Sequence, residues 1–91
     1  MLQSFQTQLS TLNNLTLNMF NKDFLLTWER SDDEIQAVLT VAQLMNDLHK
    51  AGISLKTFDT GLAISIFRDN STRTRFSFAS AANALGLGLS E

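Results

Sequence analysis

The stretch that decides the fold of this chain is FRDNSTRTRFSFASAANALGL, residues 67–87. An apolar, strand-like run, LAISIF at residues 62–67, leads into it. After it, apolar residues recur at the spacing of one helical face: Phe78, Ala81, Ala82 and Leu85. Gly86 then stands where a C-terminal glycine ends a helix. The sequence therefore predicts a strand, a loop and a helix in succession, within an α/β fold.

The loop and first helical turn concentrate groups that bind phosphate. Residues 71–75 read STRTR, which places hydroxyls and two guanidiniums at a helix start. A helix start offers unpaired backbone N–H groups and the positive end of the dipole, and arginine adds a planar donor fork. Cations at this end oppose the dipole by up to ~1 kcal/mol, so Arg73 and Arg75 indicate a bound anion. The alternative is a surface helix whose first turn is basic by accident.

The same residues resemble a known family. Ser-Thr-Arg-Thr-Arg at 71–75, with Phe67 before it and Phe-Ser-Phe at 76–78 after it, resembles the carbamoyl-phosphate signature of the aspartate/ornithine carbamoyltransferases. Upstream, residues 22–26 (KDFLL) and 51–67 resemble the opening segment and first strand of that family. The resemblance extends from about residue 22 to residue 87. Within the superfamily, the chain most resembles the YgeW-like branch of the knotted transcarbamylases.

The resemblance implies a role for each residue of the motif. Ser71 and Thr72 would contact phosphate oxygens of carbamoyl phosphate, and Arg73 would neutralise the dianion. Thr74 would reach the bridging or carbonyl oxygen. Because negative charge develops on the carbonyl oxygen when an amine attacks, donors fixed there lower the barrier. Arg73 and Thr74 are therefore the catalytic candidates, and substrate binding falls to residues 71–74. No cofactor or metal is expected.

Three charged residues near the motif are expected to have structural or supporting roles. Arg75 forms either a structural ion pair or a ligand contact, since it points away from Thr74 on a helix. The family often has an acid at the position of Ala79, and the alanine here removes a carboxylate that could pair with Arg75 from the same helix. Arg68, beside Asp69, stands where the family often has an apolar or aromatic residue. These departures leave specificity for aspartate or ornithine open.

The length of the chain limits what it could do alone. At 91 residues it forms one small domain at most, whereas the resemblance implies a much longer enzyme with two α/β domains. We expect a helical extension at residues 1–21 and a truncated carbamoyl-phosphate-binding domain at 22–91, inactive alone. The full-length protein is expected to be a homotrimer, and the fragment to expose apolar area and self-associate. The alternatives are a non-catalytic anion-binding module and an oligomer-interaction fragment.

Composition narrows the class of protein. The net charge is −2 and acidic residues outnumber basic ones, which argues against nucleic-acid or membrane partners. There is no cysteine and no apolar run near the ~20 residues of a membrane-spanning helix. A cytoplasmic protein is therefore expected. The single histidine, His49, is expected to be an ordinary helix residue.

The remaining segments predict a scaffold. Ser31-Asp32-Asp33-Glu34 is a capping box that opens a helix at residues 32–51. Its core stripe is predicted to be Ile35, Val38, Leu39, Ala42 and Met45. Strands are predicted near residues 54–58 and 62–67. A hairpin is favoured because few residues separate them, and parallel neighbours are the alternative only if the intervening turn allows a crossover. The phosphate-site helix is predicted from about residue 71 to 85, and an N-terminal helix presents Leu2, Phe5, Leu9 and Leu12 on one face.

Overall fold

A computed structural model of the chain describes residues 2–66 and 72–90. In chain order the elements are α1 (Leu2–Asn13), a short 3₁₀ helix (Thr27–Glu29), α2 (Asp32–Lys50), β1 (Leu62–Ile64), α3 (Thr72–Leu85) and β2 (Gly88–Ser90). The chain divides into two compact units, Met1–Lys50 and Ala51–Glu91. Helices and a small parallel sheet agree with the predicted α/β class. The division at residues 21 and 22 stays a prediction.

The capping box at the start of α2 is confirmed. The hydroxyl Oγ of Ser31 accepts the backbone N–H of Glu34 at 3.1 Å, and Glu34 Oε1 accepts the N–H of Ser31 at 3.0 Å. These two reciprocal bonds satisfy donors that the helix start leaves unpaired. The helix ends at Lys50, and Gly52 follows with a φ of 77°. The predicted helix at 32–51 is therefore confirmed to within one residue.

The predicted core stripe of α2 is wrong. The buried residues of α2 are Glu34, Ala37 and Thr40. Val38 and Leu39 are instead exposed, the latter at 61% of its surface. The N-terminal helix α1 packs on α2. The apolar periodicity identified one face of α2, but the buried residues of this unit lie on a different face.

The sheet is parallel and joins β1 to β2, and the predicted hairpin is wrong because no strand forms at residues 54–58 to pair with β1. Leu62 lies beside Gly88 and Ile64 beside Ser90 in the β1–β2 ladder. The intervening α3 supplies the long crossover that parallel strands require. The predicted strand at 62–67 is shorter, at 62–64, while residue 67 lies outside the described residues.

No strand forms at residues 54–58, contrary to prediction. The backbone N–H groups of Thr57 and Phe58 both donate to the carbonyl oxygen of Leu85, at 3.0 and 2.9 Å. Carbonyl groups in the last turn of a helix lack intrahelical donors, so this segment satisfies one of them. The segment is therefore used to close the end of α3 rather than to extend the sheet.

The glycine stop of α3 is confirmed in atomic detail. Gly86 has a φ of 92°. Leu87 donates its N–H to the carbonyl of Ala82 at 2.9 Å, and Gly86 donates to that of Asn83 at 3.1 Å. This pair of bonds is the Schellman motif, in which a left-handed residue turns the chain away from the helix axis. The turn delivers the chain directly into β2 at Gly88.

Candidate phosphate site at the start of α3

The site is built on the β1–α3–β2 unit. In a parallel pair both carboxyl ends lie at one edge, and here the N–H of Ser65, just past β1, donates to the carbonyl of Ser90 at 3.0 Å. In chain order α3 follows β1 and begins at Thr72. Thr72 and Leu89 of β2 line one cavity of about 230 Å³. The first turn of α3 thus lies close to β2.

The first turn of α3 is open and carries no carboxylate. Thr72, Arg73 and Thr74 are all exposed, and Arg75 is half-buried. None of the residues in this turn is acidic. The exposed hydroxyls and guanidinium therefore stand beside backbone N–H groups that lack partners within the helix. Chemically, this arrangement can bind an anion and has no fixed negative charge in the same turn to repel it.

The structure accounts for part of the predicted set of site residues. It brings Thr72, Arg73 and Thr74 together in one helical turn. Ser71 lies outside the described residues, as do Arg68 and Asp69. The predicted ligand contacts and roles of all six residues stay predictions.

Arg75 lies in a different environment from Arg73. It lines the cavity of about 230 Å³ together with Phe76, Ala79 and Leu89. Because Ala79 is one helical turn further along α3, a longer acidic side chain there would reach the guanidinium. The position of Arg75 is thus consistent with the structural role that the sequence left open beside ligand contact.

Ser65 is a polar residue of this region that the sequence reasoning missed. It is only 7% exposed and comes directly after β1, at the carboxyl edge of the sheet. Its hydroxyl has no hydrogen-bond partner among residues 2–66 and 72–90. A buried hydroxyl without a partner costs ~1–3 kcal/mol. The signal was a single serine within the apolar run LAISIF, which was interpreted only as a strand.

Other chemistries have little support in the part of the chain that the structure describes. In residues 2–66 and 72–90, no three His, Cys, Asp or Glu residues cluster as metal ligands would. His49 is exposed in the last turn of α2, as expected of an ordinary helix residue. No helix among the described residues has both the length and the apolarity needed to span a bilayer.

Similarity to known proteins agrees with this geometry. Residues 22–90 match the family model for the carbamoyl-phosphate-binding domain of aspartate/ornithine carbamoyltransferases. The match begins at the residue where the sequence resemblance begins, and it contains β1, α3 and β2. The chain therefore belongs to the aspartate/ornithine carbamoyltransferase family.

Individual relatives give the same result. The chain is 52% identical to a putative carbamoyltransferase, YgeW, of Escherichia coli K12 over 96% of its own length. It is 36% identical, over 72% of its length, to the aspartate carbamoyltransferase catalytic subunit of Leptospira biflexa. It is 32% identical, over 79% of its length, to the catabolic ornithine carbamoyltransferase of Treponema denticola. The chain spans only 21–22% of these relatives.

Proposed function

We propose that this chain supplies the carbamoyl-phosphate site of a carbamoyltransferase that acts on an amino group of an amino-acid-like acceptor. The observation that carries the proposal is the first turn of α3. There Thr72, Arg73 and Thr74 are exposed together, with no carboxylate in the turn. The turn follows the carboxyl end of β1, where α/β folds bind ligands. The family match at residues 22–90 supplies the ligand class.

The mechanism assigns binding and charge stabilisation to this turn. Ser71 and Thr72 bind phosphate oxygens, and Arg73 offsets the charge of the dianion. The acceptor amine attacks the carbamoyl carbon, so negative charge develops on the carbonyl oxygen until the bond to phosphate breaks. Thr74 donates to the carbonyl or bridging oxygen, which stabilises that charge, and Arg73 assists the departing phosphate. Fixed donors do this at little reorganisation cost.

Assembly and activity of the whole enzyme form a second part of the proposal. The chain covers only 22% of its Escherichia coli relative, and we propose that it does not turn over alone. The complete enzyme is proposed to be a cytoplasmic homotrimer, without nucleic-acid or membrane partners. Leu39 on α2 is 61% exposed and Trp28 is 79% exposed, as expected of surfaces that another part of an assembly covers.

The decisive experiment measures carbamoyl-phosphate affinity in a complete enzyme. A suitable protein is a chimera in which this chain replaces the matching residues of the Escherichia coli relative. Arg73→Ala should weaken binding of carbamoyl phosphate by roughly 10- to 150-fold, because a charged hydrogen bond contributes ~1.5–3 kcal/mol. Arg73→Lys should restore little, since a point charge cannot reproduce the planar fork. Thr74→Ala should cost less, about 1 kcal/mol.

The matched control is Lys50→Ala, which removes an equal charge at the end of α2. Calorimetry with carbamoyl phosphate or a phosphonate analogue should show no change in affinity for this variant. Equal affinity for wild type and Arg73→Ala would remove the first turn of α3 from the substrate site and leave the proposal without support.

A further inference from the structure

The first turn of α2 binds a segment far upstream in the chain. Asp33 Oδ2 accepts the backbone N–H of Thr16 at 2.8 Å, and Glu34 Oε2 accepts that of Asn18 at 3.3 Å. Both bonds join residues at least sixteen positions apart. Two carboxylates of one helical turn therefore fix the chain that follows α1, which we define as the strap, residues 14–19.

The two carboxylate oxygens of Glu34 accept hydrogen bonds from different segments of the chain. Oε1 accepts the N–H of Ser31 in the capping box, while Oε2 accepts the strap amide and lies 3.7 Å from a guanidinium nitrogen of Arg30. The residue is only 7% exposed. A second oxygen that accepts from the strap is not needed to cap α2, because Oε1 alone completes the box. Oε2 therefore serves the attachment of the strap.

The chain after the strap has the geometry of a turn. Lys22 donates its N–H to the carbonyl of Met19 at 3.0 Å, and Asn21 has a φ of 57°. Asparagine tolerates this left-handed conformation better than most residues. The strap thus ends at a tight reversal, after which Arg30 donates to the carbonyl of Asp23 at 2.6 Å.

The helix α1 also contacts α2 directly. Gln8 Nε2 donates a hydrogen bond to Asp47 Oδ2 at 2.9 Å. A cavity of about 280 Å³ lies between the two helices, lined mainly by threonine and glutamine side chains. The side chains that line this cavity lack the dispersion contacts of a packed core. The position of α1 therefore depends on the strap that follows it.

We propose that Asp33 and Glu34 form a latch that holds the strap, and through it α1, against α2, and that protonation of Glu34 opens this latch. Neither α1 nor the strap contains an ionisable side chain, so the latch joins carboxylates to backbone amides. The charged groups near Glu34 are Arg30, which directly follows the short 3₁₀ helix, and the neighbouring carboxylates Asp32 and Asp33 on α2. Protonation of Glu34 removes the charge that strengthens its bond to Asn18.

Backbone hydrogen bonds stabilise the charged form of Glu34, which supports opening of the latch in acid. The N–H of Ser31 holds the pKa of Glu34 below its ordinary value of 4.5, partial burial opposes the shift, and the N–H of Asn18 lowers the pKa further. The latch is therefore closed at neutral pH and opens in acid. Opening releases the strap from the first turn of α2.

The test is Glu34→Gln in the 91-residue chain. Glutamine keeps one acceptor oxygen, which suffices for the capping box, but it places an NH₂ group where Oε2 met the Asn18 amide and Arg30. Amide exchange by NMR at pH 7 should be about tenfold faster at Asn18 and in α1, whereas protection in α2 should be retained. Asp32→Asn, which removes a charge from the same turn, should leave Asn18 unchanged.

A titration gives a second, independent measurement. The Asn18 amide proton of the wild type should shift upfield in acid, with a midpoint below the ordinary 4.5 of glutamate, and Glu34→Gln should lack this step. The proposal is overturned if Asn18 has no protection in the wild type at pH 7. It is also overturned if Glu34→Gln leaves Asn18 and α1 unchanged, or if α2 loses protection to the same extent as α1.

Discussion

Phe58 donates its backbone N–H to the carbonyl oxygen of Leu85 at 2.9 Å, which joins the loop before β1 to the last turn of α3. The contact brings two backbone segments so close that only glycine fits at position 86. A Cβ on Gly86 would lie against the Phe58 carbonyl oxygen, well inside van der Waals contact, and 2.9 Å from Lys56 Cγ. The end of α3 is therefore fixed by backbone packing.

Gly86→Ala is expected to destabilise the protein more than Gly52→Ala. Both glycines have positive φ, which costs an L-residue ~1–2 kcal/mol. A Cβ at Gly52 meets nothing within 4 Å, so that variant serves as the control for the φ cost alone. At Gly86 the overlap with the Phe58 carbonyl adds to this cost. Urea denaturation measures the loss of stability in both variants. Equal losses would show that the Phe58 carbonyl moves away from the added Cβ without a measurable cost in stability.

Ala79→Glu is expected to stabilise α3. The carboxylate would lie one turn from Arg75, across the cavity that both residues line. An ion pair at this spacing contributes ~0.2–0.5 kcal/mol. Ala79→Gln is the control, because glutamine has nearly the volume of glutamate but no charge. It therefore separates the effect of the charge from the effect of filling the cavity. Thermal denaturation at low and high salt should show a gain for glutamate that salt reduces. A gain shared equally with glutamine would assign the effect to packing.

Stability is expected to fall in acid because of Glu34. Its folded-state pKa is lowered chiefly by the Ser31 N–H, so the carboxylate contributes stability above its unfolded value of 4.5. That contribution is lost as the pH falls through the lower, folded-state pKa. Urea midpoints measured from pH 7 to pH 3 should show a smaller decrease for Glu34→Gln than for the wild type. Identical pH profiles would mean that Glu34 is not a source of the acid sensitivity.

Self-association of the isolated chain is expected, and it should depend on the exposed face of α2. Leu39 is 61% exposed and Val38 is 42% exposed. Apolar side chains grouped at a surface promote association. Leu39→Lys should lower the association measured by light scattering at high concentration. His49→Lys, at another exposed position of α2, should have little effect. A wild-type chain that is monomeric at high concentration would contradict this prediction.

The sequence by itself determined the features that depend on neighbouring residues. Ser31 and Glu34 are three positions apart, so their reciprocal bonds follow from helix geometry alone, and α2 begins where they predict. Gly86 ends α3 for a similar reason, since only a left-handed residue completes the bonds to Ala82 and Asn83. The motif at residues 71–75 likewise marked the ligand class and the family.

Tertiary structure alone decided which distant segments meet. The spacing of apolar residues in α2 could not show that Ala37 and Thr40 would be buried while Leu39 stays exposed. The short distance between residues 58 and 62 favoured a hairpin, yet β1 pairs with β2, beyond α3. Strand pairing and helix packing are set by contacts between residues far apart in the chain, and their energies depend on surfaces that no local pattern contains.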